Sequence, residues 1–263
     1  MFNHLLAQFF IYNQSEELEK IFEHQFELLN SLTRLFSSSS NWFLLAMFVA
    51  TTDLWSICKK LSSVKKQEET ARLINRAFTL CINDRAPIMS SRKWGSLYFL
   101  SALFKIYFSL KQDSLCNNIL KAMQASDLPE FSRFPVTHRI LYNYHVGMFY
   151  FINEKYEKAE ELFTSAFLLC RKSSHFNKRL ILDYLIPLRL LKGQQPQKEL
   201  LNRHQLFIYN ELLRVIKSGN VAQFPISLCS LEKYLFKRRT FLIFERLLFL
   251  CYRNLIRSMY LVI

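Results

Sequence analysis

The stretch Ile140–Ala166, ILYNYHVGMFYFINEKYEKAEELFTSA, decides the fold. Gly147, Ala159 and Ala166 are small, and Tyr150 and Phe163 are large aromatics set between them. Small residues let two helix axes approach closely, and the rings fill the space beside the contact. Asn153 supplies a turn, and Tyr156-Glu157-Lys158-Ala159 opens a second helix. The segment reads as an antiparallel pair of helices.

Gly147, Tyr150, Ala159, Phe163 and Ala166 fall at the offsets of the tetratricopeptide pattern. The neighbouring stretches fit that pattern poorly, so the expected fold is an all-α, TPR-like solenoid of degenerate antiparallel hairpins. Outward from this pair, helical periodicity continues almost everywhere, interrupted by polar breaks. Ser37–Ser40 with Asn41 reads as a loop and cap ahead of a buried helix from Trp42. Ser62–Glu69 reads as a second break, followed by a helix with Leu73, Ile74, Ala77, Phe78 and Cys81 at core spacing. Asp84–Ser91 is a loop before an apolar helix over Trp94–Leu110. Asp127–Pro135, Ser173–Asn177, Gly193–Pro196 and Gly219–Asn220 complete the breaks.

Composition agrees with this reading. Only 4 glycines and 6 prolines occur in 263 residues, while 51% are hydrophobic and 15% aromatic. Glycine-dependent turns and phosphate loops are thereby disfavoured, and a large helical core is favoured. The net charge of +14 is concentrated late: residues 171–263 hold 17 Lys and Arg against 5 Asp and Glu. Such asymmetry predicts a positive face turned toward phosphate or an acidic protein.

The longest uncharged apolar run, Trp42–Ala50, is shorter than the roughly 20 residues a bilayer crossing needs, so no membrane partner is expected. Residues near the start (Leu5, Leu6, Phe9, Phe10, Ile11) lack a basic leader and continue into Glu16, Glu17 and Glu19, which predicts a helix and no signal peptide. Cys58, Cys81, Cys116, Cys170, Cys229 and Cys251 are widely spaced and read as reduced core residues of a nuclear or cytosolic protein.

Groups for chemistry are missing. Phosphate-loop, dinucleotide, nucleophile-elbow and H-E-x-x-H patterns do not occur. His138 and His145, seven residues apart, make the best histidine pair, and no cysteine or carboxylate joins them at metal-ligand spacing. Glu157, Glu160 and Glu161 sit where a helix start favours acids. No enzyme activity, cofactor, metal or small-molecule substrate is expected.

The strongest constellation lies near the end. On a single helix over Arg239–Tyr260, Arg239, Arg246, Arg253 and Arg257 would fall within roughly 40° of one another at about 100° per residue. Lys237 and Arg238 add charge beside them. These six are the candidate contacts to nucleic acid or an acidic partner, since the arginine fork suits phosphate and carboxylate alike. A solvated helix face is the competing reading.

Asn75-Arg76-Ala77-Phe78-Thr79-Leu80-Cys81, Asp84-Arg85-Ala86-Pro87, Arg92-Lys93-Trp94-Gly95 and Leu103-Phe104-Lys105-Ile106-Tyr107 form one set of ordered strings. Tyr144–Ala166, Asn177-Lys178-Arg179-Leu180-Ile181-Leu182, Tyr184-Leu185-Ile186-Pro187 and Phe241–Tyr260 continue it. Together, over roughly residues 70 to 263, they resemble PCI-domain proteins of the mRNA-export branch. That branch is similar to the PCI subunit of the nuclear transcription-and-export complex and to the twelfth-subunit-like proteins of the signalosome. The resemblance implies helical repeats over 1–200 and a C-terminal PCI portion over 201–263 that leads toward a winged helix, truncated or absent here. It implies a non-catalytic scaffold coupling transcription to mRNA export, in the nucleus and at the nuclear pore periphery, with the cytoplasm as the other location. The implied partners are a second PCI-domain scaffold, a small acidic disordered subunit, and RNA or DNA. A signalosome-like or proteasome-lid-like scaffold in protein turnover is the alternative.

Overall fold

Apolar residues recurring every third or fourth position fold into helices throughout, and no strand forms among the described residues. The computed structural model describes residues 18–260; the expected N-terminal helix before Leu18 and the apolar tail Leu261–Ile263 lie outside them. The chain divides into two units, Met1–His145 and Val146–Ile263. The 200/201 division expected from the resemblance falls within the short helix Lys198–Arg203 of the second unit.

In the first unit, α1 (Leu18–Ser38), α2 (Leu44–Leu61), α3 (Val64–Ile82), α4 (Ser96–Leu110) and α5 (Asp113–Ala125) pack as consecutive neighbours, and α1 also packs on α3. α1 buries Ile21, Phe22, Gln25, Leu28, Leu29 and Phe36 along one face. α4 is apolar nearly all round and buries Leu97, Phe99, Leu100, Leu103, Phe104 and Ile106 at its centre. Each large side chain withdrawn from water contributes about 1.5–3 kcal/mol before ordering costs.

Four expectations change here. Ser62–Glu69 is not a long break: Ser62 ends α2 in a left-handed conformation and α3 starts at Val64. Lys65, Lys66, Glu68 and Glu69 are good helix formers, and their polarity marks a wet face. Trp42 is 70% exposed, and Asn41 caps no helix but donates from Nδ2 to the Met89 carbonyl at 2.7 Å. Cys229 is exposed, whereas the other five cysteines are buried; all six are free. Finally, Asn41–Leu61 is long and apolar enough to cross a bilayer by length and composition, because the helix runs well past Ala50. Its Leu44, Met47, Ala50, Leu54, Ile57 and Cys58 are buried core residues of a helix packed between α1 and α3.

One buried ion pair ties this unit together. Asp84 accepts from the Arg92 guanidinium at 2.9 Å, the Arg92 backbone N–H at 2.7 Å, and Ser91 Oγ at 2.9 Å. Arg92 Nη1 also donates to the carbonyls of Phe36 and Ser37, at 2.8 Å each, satisfying the open end of α1. Burial alone would raise the Asp84 pKa, but these donors outweigh it and hold the carboxyl well below the usual range.

The second unit holds α6 (Val136–Ile152) from Val146 onward, then α7 (Tyr156–Leu169), α8 (His175–Leu191), α9 (Lys198–Arg203), α10 (Asn210–Ser218), α11 (Gln223–Arg238), α12 (Phe241–Arg246) and α13 (Leu248–Tyr260). Ala159, Phe163 and Ala166 are fully buried. A Cβ placed on Gly147 would lie 3.2 Å from the Phe163 ring, so the glycine sets how closely α6 and α7 approach. Phe163 stacks on Tyr184 of α8 at 5.1 Å and 5°. Tyr150 is half-buried beneath Lys158 Nζ, 5.8 Å from its ring centroid.

Asp183 on α8 is fully buried. It accepts from Tyr234 Oη at 2.7 Å and Tyr209 Oη at 3.1 Å, and Arg238 Nε lies 3.2 Å from its other oxygen. Burial raises its pKa, while the bonds from Tyr234 and Tyr209 and the Arg238 charge pull it back. Tyr184 Oη donates to the Arg238 carbonyl at 3.0 Å, closing the tie between α8 and the end of α11.

Each of these two buried carboxylates sets expected outcomes. Asp84→Ala should cost about 3–5 kcal/mol in urea unfolding, since it strands the largely buried Arg92. The depressed pKa makes the pair's stabilisation present above the unfolded carboxyl value of about 4 and lost as pH falls through the folded value. Stability measured at pH 7 and pH 3 should therefore differ less in Asp84→Asn than in the unaltered chain. Asp183→Ala should cost about 3–5 kcal/mol, and Tyr209→Phe about 1.5–3 kcal/mol because one acceptor contact remains filled by Tyr234. Equal losses would count against a shared acceptor.

Candidate functional site

The six candidate cations do not lie on one helix. α11 ends with Arg239 at φ 57°, in the left-handed region, where the N–H of Arg239 bonds the Phe236 carbonyl and that of Thr240 bonds the Leu235 carbonyl at 2.9 Å. This is a Schellman stop, normally built with glycine. Stacking of Phe236 on Phe241 at 4.6 Å holds the chain through the turn. A second interruption at fully buried Leu247 separates α12 from α13. The expected continuous stripe from Arg239 to Arg257 is thus broken twice, and Arg239 is not in register with the others.

Two of the six are held by carboxylates. Arg238 is bound to Asp183, as described. Arg246 donates from Nη2 to Glu154 Oε1 at 2.8 Å and from Nη1 to Tyr156 Oη at 3.1 Å, which ties α12 to the turn before α7. Lys237, Arg253 and Arg257 are exposed. The Arg253 guanidinium lies over Gly193, at the turn that ends α8. Arg253 and Arg257, four apart on α13, form the part of the stripe that survives.

α13 is anchored by a close backbone contact. Gly219 ends α10 at φ 71°, and a Cβ there would meet the Leu255 backbone nitrogen at 2.5 Å. Only glycine satisfies both the left-handed conformation and the approach. Asn254 Nδ2 donates to the Ile216 carbonyl at 2.7 Å, and Leu250 and Cys251 bury on the same side. The opposite side carries Phe249, Tyr252, Ile256 and Met259, exposed at 61, 49, 65 and 60%. At 100° per residue these four cover about 80° of the helix, with Arg253 and Arg257 along one edge. From the sequence these residues read only as apolar faces opposite the arginines. The available signal was a helix apolar on too many sides for one neighbour to cover.

The histidine pair gives no metal centre. Burial, with the Lys105 charge adding to it, lowers the His145 pKa to about 3, and its Nδ1 lies 2.7 Å from the Leu141 carbonyl. His138 packs edge-on against Phe48 at 5.2 Å. Among the described residues, no three His, Cys, Asp or Glu side chains are grouped to hold a metal ion. The glutamates Glu157 and Glu160 line a shallow groove beside α8, where Lys192 Nζ lies 2.6 Å from Glu160.

No family model matches the chain. Among individual proteins, it is 39% identical over 265 residues to "Protein CSN12 homolog" of Schizosaccharomyces pombe, covering 92% of this chain and 63% of the relative. It is 41% identical to "Protein CSN12 homolog" of Neurospora crassa over 74% of this chain and 44% of that protein. "PCI domain-containing protein 2" of Danio rerio is 30% identical over 98% of this chain and 67% of its own length. The chain therefore spans about half to two thirds of the length of the relatives it matches. The helical architecture and these matches together show that the chain belongs to the PCI-domain, CSN12-like family.

Proposed function

We propose that this chain is a non-catalytic scaffold subunit of a PCI-containing complex that couples transcription to nuclear mRNA export. The observation that carries the reading is the α13 ridge: four exposed apolar side chains beside two exposed arginines, on a helix fixed from behind by Gly219 and Asn254. A rigid aromatic and aliphatic ridge with a cationic rim has the make-up of a protein interface centre. In this reading it docks a second PCI-domain scaffold. A small acidic disordered subunit, and RNA or DNA, engage the cationic surface of residues 171–263, whose charge balance is +12. The proposed location is the nucleus, including the pore periphery, with the cytoplasm as the other site. A signalosome-like scaffold in protein turnover is the second reading, favoured by the name "CSN12 homolog" carried by several relatives.

Affinity purification of the tagged chain with mass spectrometry separates the two. Export factors and a second PCI protein are expected, and signalosome subunits without export factors would overturn the first reading. Tyr252→Asp with Ile256→Asp should weaken PCI pairing by at least about 30-fold, a hot-spot loss of 2 kcal/mol or more, with melting unchanged. For nucleic acid, log affinity against log salt should fall steeply. Arg253→Gln with Arg257→Gln should flatten that slope by about 1.4–1.8 if each contacts a phosphate. Arg246→Ala should instead leave the salt slope unchanged and lower stability only slightly, because its partner is Glu154 on an exposed surface.

A further inference from the structure

A second cationic surface lies in the first unit, where α1 and α3 pack side by side. Between them runs a groove of about 530 Å³ lined by Asn30, Arg34 and Ser37 from α1 and by Asn75, Arg76 and Thr79 from α3, with no carboxylate in its wall. Spacings of three and four place these residues along facing edges of the two helices. Arg34 and Arg76 are exposed and make no ion pair among the described residues, and no hydrogen bond occupies the side-chain amides of Asn30 and Asn75. By contrast, Arg92, Arg238 and Arg246 are each held by a carboxylate. Ser37 Oγ and Thr79 Oγ1 donate to carbonyls of their own helices, at 2.6 and 2.9 Å, so their oxygens remain acceptors facing the groove. In the string Asn75–Cys81, packing explains Ala77, Phe78 and Cys81, which are buried. It leaves Asn75, Arg76 and Thr79 unexplained.

We propose that this groove binds an extended peptide segment carrying a phosphorylated serine or threonine. Arg34 and Arg76 take the phosphate, and Asn30 and Asn75 pair with the peptide backbone on either side. A phosphate monoester carries about −1.5 to −2 charges and three acceptor oxygens, which matches two unpaired guanidinium forks better than one carboxylate does. A side-chain amide offers one donor face and one acceptor, the complement of an extended peptide unit. From Asn30 to Ser37 the groove runs about 10 Å, the length of roughly three extended residues. No aromatic ring lines it, so the stacking platform that single-stranded nucleic acid uses is missing.

The test immobilises the full chain and captures from a degenerate peptide library centred on phosphoserine, mixed with its unphosphorylated twin, with mass spectrometry as the readout. Enrichment of the phosphorylated library by at least about tenfold is expected. Arg34→Glu with Arg76→Glu should abolish the preference while the melting curve stays in place, because neither side chain is buried or paired. If that pair of changes unfolds the chain, Arg34→Gln and Arg76→Gln made singly should each reduce the enrichment. Equal capture of both libraries, or a preference that survives loss of both arginines, overturns the proposal. So does mixed-sequence single-stranded RNA binding that depends on these arginines when no phosphopeptide preference exists.

Discussion

Asp183 is the constraint on which the second unit depends. A buried carboxylate is costly unless it is paired, and here two tyrosine hydroxyls bond Oδ1 while the Arg238 guanidinium offsets the charge 3.2 Å from Oδ2, which accepts no hydrogen bond. Satisfying that one side chain fixes α8 against Tyr209, which precedes α10, and against the end of α11. α10 then presents Gly219 and the Ile216 carbonyl, on which α13 is seated. The exposed ridge of α13 is positioned by a chain of contacts that begins at a buried acid. Pro187, inside α8, leaves the Asp183 carbonyl without its helical partner.

The arginines sort into two kinds. Arg92, Arg238 and Arg246 end on carboxylates and act as ties between helices, so their charge is already neutralised locally. Arg34, Arg76, Arg253 and Arg257 keep their forks exposed to solvent. Counting charge along the chain cannot separate these kinds, because Arg238 and Arg253 look alike until their neighbours are known. Of the expected stripe of four, Arg246 is a tie to Glu154 and the helix stop sets Arg239 apart, which leaves Arg253 and Arg257 on α13.

Much of the fold was legible because helix pairs leave local marks. Gly147, Ala159, Phe163 and Ala166 announce a close helix contact through size alone, within a few turns of one another. The ends of helices were less legible where a residue other than glycine or proline does the stopping. Arg239 adopts the left-handed conformation with Phe236 stacked on Phe241 across the stop, and Ser62 does the same after α2. Such stops depend on contacts that a periodicity count does not contain. The strings Asp84–Pro87 and Arg92–Gly95 were visible as strings, but their function as one ion pair closing the end of α1 required the loop between them to be folded.

The surface of α13 follows a different logic from that of α4. α4 is apolar over most of its circumference and neighbours cover nearly all of it, whereas α13 is apolar on two sides with a polar sector of Arg253, Asn254, Arg257 and Ser258. In α13, the sector of Leu250, Cys251 and Asn254 is covered, while the sector of Phe249, Tyr252, Ile256 and Met259 is not. A ridge of this composition left in water costs solubility, since large contiguous apolar patches are uncommon on monomers. Retaining it makes physical sense where another surface covers it in the assembled state. A scaffold differs from an enzyme in that respect: its working groups are core residues awaiting a second side. In the proposed docking, Arg253 and Arg257 would orient the approach through long-range charge at the rim and the ridge would supply the affinity.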